Sequence, residues 1–90
     1  MEKLIATLNT IGAVMGDTPY QHGIAALYTA AARRLSKHGY DGIHRWVLNI
    51  STIGILCDHD DVPAYSIGMA AAAADIMRMV AHAQYHDFTA

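Results

Sequence analysis

Residues 18–39 decide the fold, and they read TPYQHGIAALYTAAARRLSKHG. Thr18 is a favoured N-cap, Pro19 suits the first helical position, and Gln21 can complete a capping box by reaching back to the amide of the cap residue. Gly39 supplies a C-terminal cap after a cationic last turn. The apolar side chains between these ends recur at helical spacing: Tyr20, Ile24, Leu27, Tyr28, Ala31 and Leu35. The stretch is therefore predicted to form one long amphipathic helix.

The segments on both sides of this helix have the same character. Apolar residues spaced three or four apart predict further helices over residues 2–15, 42–57 and 62–86, while no segment shows the alternation of a strand. Asp41 and Asp61 are candidate N-caps for the last two helices. The joints are about two to five residues long, and helices joined so closely pack as antiparallel neighbours. All 90 residues are therefore predicted to form a single all-α domain, a compact antiparallel helical bundle of about four helices.

Charge is scarce in this chain, and apolar side chains are abundant. Hydrophobic residues make up 53% of the sequence and charged residues 16%, where a soluble domain carries about 25% charged residues. The net charge of −2 excludes a broadly basic nucleic-acid coat, and the apolar content excludes a disordered tail. A domain this short buries only about 60–65% of its unfolded surface. Some apolar surface is therefore expected to remain exposed and to drive self-association into a homo-oligomer.

Small residues recur at a spacing that favours close helix packing. Gly12 with Gly16, and Gly68 with Ala72, are each four residues apart. Pairs of small residues at this spacing let helix backbones approach one another closely, a rule best established in membranes. Close contacts between helices are therefore expected at these positions.

Four stretches carry no Asp, Glu, Lys or Arg: residues 4–16, 18–32, 46–57 and 62–74. None reaches the eighteen or so apolar residues of a membrane-spanning helix, so a soluble protein with no membrane partner is expected. The chain start makes a poor signal peptide, because Glu2 and Asn9 interrupt its basic and apolar regions. Cys57 is the single cysteine. No disulfide can form within the chain, and a reducing, cytoplasmic compartment is expected.

The few charges are predicted to sort by sign between the two ends of the bundle. Half of the acidic residues fall in the two joints at one end: Asp17, Asp58, Asp60 and Asp61. Cationic and aromatic residues converge at the opposite end, around the joint between the second and third helices: Arg33, Arg34, Lys37, His38, Tyr40, His44, Arg45, Trp46 and Arg78. Helix dipoles account for cations in a last turn, but not for four converging arginines. This end is predicted to bind an anionic partner.

The start of the third helix offers further anion-binding groups. The backbone amides of Gly42, Ile43 and His44 are expected to be free of intrahelical partners. The rings of Tyr40 and Trp46 can stack on a base or an arginine. A nucleotide, a nucleic acid or an acidic protein face would suit such a surface. The Gly-rich run and the Lys-Ser/Thr pair of a phosphate loop are missing, so hydrolysis of ATP or GTP has no support.

His82 and His86 are the candidate metal ligands. Their spacing puts both imidazoles on one face of a helix, as in two-histidine metal sites, although such pairs are also common on helix surfaces. No glutamate follows His82, so the motif of a metalloprotease is missing. A third ligand would have to come from His38, His44, Asp87 or a symmetry-related copy of the chain.

Three functional hypotheses remain open. The leading one is a small non-enzymatic binding or regulatory protein, a helical homo-oligomer that presents its basic end to an anionic partner; neither a catalytic constellation nor a cofactor is expected. The first alternative is an inhibitor or adaptor of the kind that phages and plasmids encode, which binds a host complex through an apolar helix face. The residues of that face would be Leu48, Ile55, Leu56 or Met79. The second alternative is a small metal-binding bundle that uses His82 and His86.

Overall fold

The structure, a computed structural model, describes the backbone of residues 1–53 and 62–89 and the side chains of residues 1–50 and 63–87. These residues contain four helices: α1 (Glu2–Ala13), α2 (Pro19–His38), α3 (Ile43–Ile53) and α4 (Val62–Thr89). No strand occurs in the same two ranges. The predicted all-α bundle of about four helices is therefore confirmed.

The observed helix bounds differ from the expected ones by a few residues. α2 begins and ends where predicted, α1 ends at Ala13 instead of residue 15, and α4 continues to Thr89 instead of residue 86. α3 begins at Ile43, so the expectation that Asp41 is its N-cap is wrong; Gly42 precedes the helix with a positive φ of 67°. Helix ends depend on which residue closes the turn, and apolar periodicity does not specify that residue.

Several predicted features lie outside the described residues. They are the third helix beyond residue 53, the lone Cys57, the apolar residues Ile55 and Leu56, and the acidic joint with Asp58, Asp60 and Asp61.

Both ends of α2 are closed by the predicted capping groups. The Gln21 amide donates to Oγ1 of Thr18 at 3.1 Å, and the Thr18 amide donates to Oε1 of Gln21 at 3.5 Å, which completes the capping box. At the other end Gly39 adopts a φ of 63°, and its amide donates to the Leu35 carbonyl at 2.8 Å. Glycine is favoured there because the Cβ of any other residue is sterically unfavourable in the left-handed backbone conformation. The caps fix the length of α2 and thereby determine which of its residues reach each end of the bundle.

α2 and α4 touch backbone to backbone through a pair of glycines. Gly23 of α2 faces the carbonyl group of Tyr65, and Gly68 of α4 faces the carbonyl group of Tyr20. A Cβ added to either glycine would lie 3.0 Å from the facing carbonyl carbon and closer still to its oxygen, a separation that real Cβ atoms do not adopt. Glycine is therefore required at both positions for the helices to approach this closely. We refer to this contact as the glycine crossing.

The glycine crossing joins two helices that run in the same direction. Tyr20 at the start of α2 lies beside Gly68, and Tyr40, just after α2, reaches Asp87 in the last turns of α4. α1 packs mainly on α2, while α3 packs on both α4 and α2; α1 and α3 do not touch within the described residues. Consecutive helices alternate in direction, as predicted. The α2–α4 pair, which would lie on the diagonal of a square bundle, forms instead the most extensive contact.

The core is apolar, with no buried polar or charged residue in the part of the chain that the structure describes. Its largest fully buried side chains come from all four helices: Leu8, Leu27, Leu35, Ile43, Val47, Met69, Ile76 and Val80. Buried alanines from α2 and α4 join them: Ala31, Ala32, Ala72 and Ala73. Their small side chains suit closely spaced helices. No helix within the described ranges has the length and apolar character needed to cross a membrane.

The glycine crossing predicts that alanine is tolerated unequally at the helical glycines. Gly23→Ala and Gly68→Ala should each lower the free energy of unfolding by about 1–3 kcal/mol, the usual cost of overpacking, in spite of the better helix propensity of alanine. Gly12→Ala in α1 is the matched control, because its Cβ would meet mainly the Thr29 hydroxyl, at 2.8 Å, which a side-chain rotation can move. That variant should match the parent chain or gain up to ~1 kcal/mol.

Urea denaturation followed by circular dichroism measures all three variants. Equal losses of stability at Gly12, Gly23 and Gly68 would contradict the glycine crossing.

Candidate anion-binding site

A shallow groove of about 200 Å³ lies between the last turns of α2 and the first turns of α3. Its walls are Ala30, Arg33, Arg34, Lys37, His38 and Trp46. Five of these six residues belong to the set expected to bind an anion. The fold therefore brings these cations together with the indole, and we refer to the site as the basic groove.

The spacing along α2 explains why the cations share one wall of the basic groove. Arg33 and Lys37 are four residues apart, as are Arg34 and His38, and residues at this spacing are neighbours on a helix surface. Trp46 comes from α3 and packs partly against the core, so apolar contacts hold its ring in place. The groove thus combines long, flexible cations with an aromatic wall of fixed position.

The hydrogen-bond donors of Arg34 are only partly paired within the protein. Its Nη2 donates to the Asp41 carbonyl oxygen over a long 3.4 Å, whereas its Nε is buried with no acceptor among the described residues. A buried donor without an acceptor costs about 1–3 kcal/mol. An anion toward which the guanidinium could turn would remove that cost.

The cations of the basic groove are not neutralised by carboxylates in the described ranges. Neither Arg33 nor Lys37 forms an ion pair with a described acidic residue, and Asp41 is exposed in the adjoining turn. The ion pairs that the structure shows lie elsewhere, between Asp75 and Arg78 and between Asp87 and the N-terminal ammonium of Met1, and Asp17 lies 3.9 Å from the imidazole of His22. A local excess of positive charge therefore exists on a chain whose net charge is −2.

Four residues of the predicted set do not line the basic groove. Arg78 pairs with an aspartate three residues earlier in its own helix. His44 and Arg45 are exposed in the first turn of α3, and the Tyr40 hydroxyl donates to Asp87 at 2.5 Å. Participation of these four residues in binding stays a prediction.

Fewer backbone amides are free at the start of α3 than its sequence indicates. The Ile43 amide donates to the Tyr40 carbonyl at 3.2 Å. The expectation that Gly42, Ile43 and His44 all offer free amides is therefore wrong for Ile43. The positive φ of Gly42 folds the turn so tightly that the Tyr40 carbonyl comes within reach. The anion-binding capacity of this end depends mainly on side chains.

Arg33 and Lys37 also border a second depression, of about 300 Å³, between α1 and α2. Asn9 and Ser36 supply hydrogen-bonding groups there. Neither residue is among those predicted from the sequence to bind an anion. Ser36 could have been predicted from the helical spacing of α2, because it follows Arg33 by three residues. Asn9 joins the site only through the packing of α1 on α2. The two cations thus form a ridge between two depressions.

A hydrogen-bonded cluster connects the start of the chain, the α2–α3 turn and the end of α4. Oδ2 of Asp87 accepts from the Tyr40 hydroxyl at 2.5 Å and from the Met1 ammonium at 3.4 Å. Burial and the bond to Asp87 raise the pKa of Tyr40 to about 12. The same bond and the N-terminal charge lower the pKa of Asp87. The cluster therefore stabilises the neutral phenol and the ionised carboxylate.

The candidate metal ligands His82 and His86 are exposed on α4, with ring centroids 4.4 Å apart in an edge-to-face contact. They line a groove of about 460 Å³ between α4 and the start of α1, which we refer to as the histidine groove; Met79 lines it too. No three His, Cys, Asp or Glu side chains that could hold a metal meet in residues 1–50 and 63–87. Of the expected third ligands, His38 lines the basic groove and Asp87 is bound to a tyrosine hydroxyl.

Comparison with known proteins finds no protein-family model, no curated protein and no solved structure that matches this chain.

The Tyr40–Asp87 bond predicts a contribution to stability that depends on pH. The pKa of Tyr40 is raised from 10.0 to about 12 in the folded chain, so its contribution is complete below pH 10 and is lost as the pH rises toward 12. The pKa of Asp87 is lowered from 3.8, so its contribution is present above that value and is lost as the pH falls below it. Tyr40→Phe should therefore be less stable than the parent chain near neutral pH, and the difference should shrink at both extremes.

Chemical denaturation across this pH range measures the difference. Tyr20→Phe, at an exposed tyrosine, is the control and should cost little at any pH. A stability difference for Tyr40→Phe that stays constant with pH would show that the Tyr40–Asp87 bond does not form.

Proposed function

We propose that this protein is a small, non-enzymatic binding protein that holds an anionic partner in its basic groove. The observation that carries the proposal is the grouping of Arg33, Lys37 and Trp46 with Arg34 around one depression, where the described residues supply no neutralising carboxylate. Helix dipoles explain a cation or two in the last turn of α2. They do not explain an indole beside those cations, or a buried guanidinium nitrogen that has no acceptor among the described residues.

The side chains of the basic groove suit phosphate and carboxylate groups. Arginine presents a planar fork that can bind either group through two hydrogen bonds, and lysine adds a point charge. Trp46 offers a flat surface on which a base could stack, an interaction worth about 1–3 kcal/mol.

The size of the groove indicates how much of a partner it can hold. Its volume of about 200 Å³ is below the ~300–1,000 Å³ typical of sites that enclose a whole drug-sized ligand. We therefore infer that it takes one group of a larger partner, such as a nucleotide unit or an acidic side chain of a protein face.

The groups in the basic groove favour binding over catalysis. Nucleophilic and acid–base mechanisms use a nucleophile placed beside a base. Besides Ala30, the wall of this groove consists of cations, an indole and the imidazole of His38. The lone cysteine of the sequence fits a reducing, cytoplasmic setting for such a protein.

The proposal includes self-association through α3. Leu48 on that helix is 50% exposed, and burial against a second copy would stabilise the assembly by roughly 25 cal/mol per Å² of apolar surface. A homo-oligomer would also carry several basic grooves, which increases its avidity for a polyanion. Of the two described residues proposed for the alternative apolar face, Leu48 is exposed on α3 and Met79 lines the histidine groove.

Trp46 is the single tryptophan of the chain, so its fluorescence reports directly on the basic groove. Sodium triphosphate, a nucleoside triphosphate, an oligothymidylate and poly-glutamate serve as probes. At least one should change the emission, with an affinity that falls steeply as salt concentration rises. Arg33→Glu and Lys37→Glu should each weaken binding of that probe at least about tenfold, because they place like charges in contact.

Lys3→Glu is the matched control, because it makes the same change of charge on α1, outside the basic groove. It should bind the probe as the parent chain does. If none of the four probes binds, or if Lys3→Glu and Lys37→Glu lose equal affinity, the proposed anion site is wrong.

Self-association predicts that Leu48→Glu shifts the protein toward the monomer. Val14→Glu, at a residue that is 72% exposed just after α1, is the control and should leave the molecular mass unchanged. Sedimentation equilibrium measures the mass of each variant. A parent chain that is monomeric at high micromolar concentration would rule out the proposed homo-oligomer.

A further inference from the structure

The histidine groove contains ligating atoms besides its two imidazoles. Met1 and Met79 line the same depression as His82 and His86. Met79 precedes His82 by three residues, and His82 precedes His86 by four, so the three residues occupy one face of α4. Two thioethers and two imidazoles therefore border one space of about 460 Å³.

Hard ligands are scarce around this space. Asp87 borders it, but its Oδ2 accepts hydrogen bonds from the Tyr40 hydroxyl at 2.5 Å and the Met1 ammonium at 3.4 Å. Zinc sites use three or four such ligands. The described side chains contain no group of three His, Cys, Asp or Glu that could hold a metal. Thioether sulfur and imidazole nitrogen, by contrast, are ligands that copper(I) accepts.

The separation of the two rings is compatible with one shared ion. The centroids of His82 and His86 are 4.4 Å apart. At metal–nitrogen distances of about 2.0–2.1 Å, two imidazoles bound to one ion place their centroids roughly 4–6 Å apart. Both histidines are exposed, so their rings can turn toward an ion without repacking the core. Met79 is half-buried, and its packing keeps the thioether beside the groove.

We propose that the histidine groove binds one copper(I) ion through His82, His86 and the thioether of Met79, with Met1 bordering the same space. The apolar lining supplied by Leu4 and others suits a singly charged ion, because a single charge costs less to remove from water than a double one.

The lysine that borders the groove permits this site. Lys3 also borders the groove, but it is exposed, and its flexible side chain can extend into solvent. The ion binds and leaves as copper(I), so no oxidant or reductant is consumed. The site uses α1 and α4, whereas the basic groove uses α2 and α3, so the two can be tested independently.

Anaerobic titration of the full, untagged chain with copper(I), in competition with a chromogenic copper(I) chelator, measures affinity and stoichiometry. One equivalent per chain should be taken from the chelator. His86→Ala and Met79→Leu, which keeps the side-chain volume but removes the sulfur, should each weaken the affinity at least about tenfold, since even changes outside the ligand shell cost 10–100-fold. Met77→Leu removes a thioether from the same helix but outside the groove, and it should have no effect.

Circular dichroism checks that each variant keeps its helices, and X-ray absorption at the copper edge reports sulfur bound to the ion. A copper–sulfur signal that is reduced in Met79→Leu supports the assignment. The assignment is overturned if the parent chain does not compete for copper(I), if it retains zinc(II) more tightly, or if Met79→Leu and Met77→Leu bind copper(I) equally well.

Discussion

Direct contact between the backbones of α2 and α4, made possible by Gly23 and Gly68, determines how the remaining helices are arranged. The two longest helices lie side by side and parallel, where a square bundle would place them diagonally across a core. α1 and α3 then pack on this pair without touching each other in the described ranges. The abundance of alanine fits the same constraint, because protein interiors are close-packed and little space remains between helices whose backbones touch.

The parallel pair also explains why cations and histidines gather at one end. The contact between Tyr40 and Asp87 places the C-termini of α2 and α4 together, so both helix dipoles present their negative ends there. Lys37, His38 and His86 occupy these last turns. The basic groove, beside α3, and the histidine groove, beside α1, are therefore two consequences of one arrangement. The basic groove differs from an ordinary cationic helix C-terminus because α3 contributes an indole to it.

Features that depend on residues within one helix could be predicted from the sequence, whereas contacts between helices could be predicted only in part. Thr18 and Gly39 defined α2 to the residue, because caps act over three or four positions. The spacing of small residues pointed to close packing at Gly68, but its partner Gly23 is distant in the sequence, and neither helix alone specifies the pairing.

The convergence of α2 and α3 side chains in the basic groove followed from antiparallel topology. Arg78 does not line the basic groove, and its guanidinium contacts Asp75 of its own helix; helical rise predicted its level along the bundle but not its neighbours.

Nuclear Overhauser contacts in solution test the glycine crossing most directly. The α protons of Gly23 should show cross-peaks to Tyr65 and Met69, and those of Gly68 should show cross-peaks to Tyr20 and Ile24, whose backbone atoms lie closest to the two glycines. Observation of these contacts would establish the backbone contact within the α2–α4 pair. With the resonances assigned, absence of both sets would contradict that pair and the placement of both grooves that depends on it.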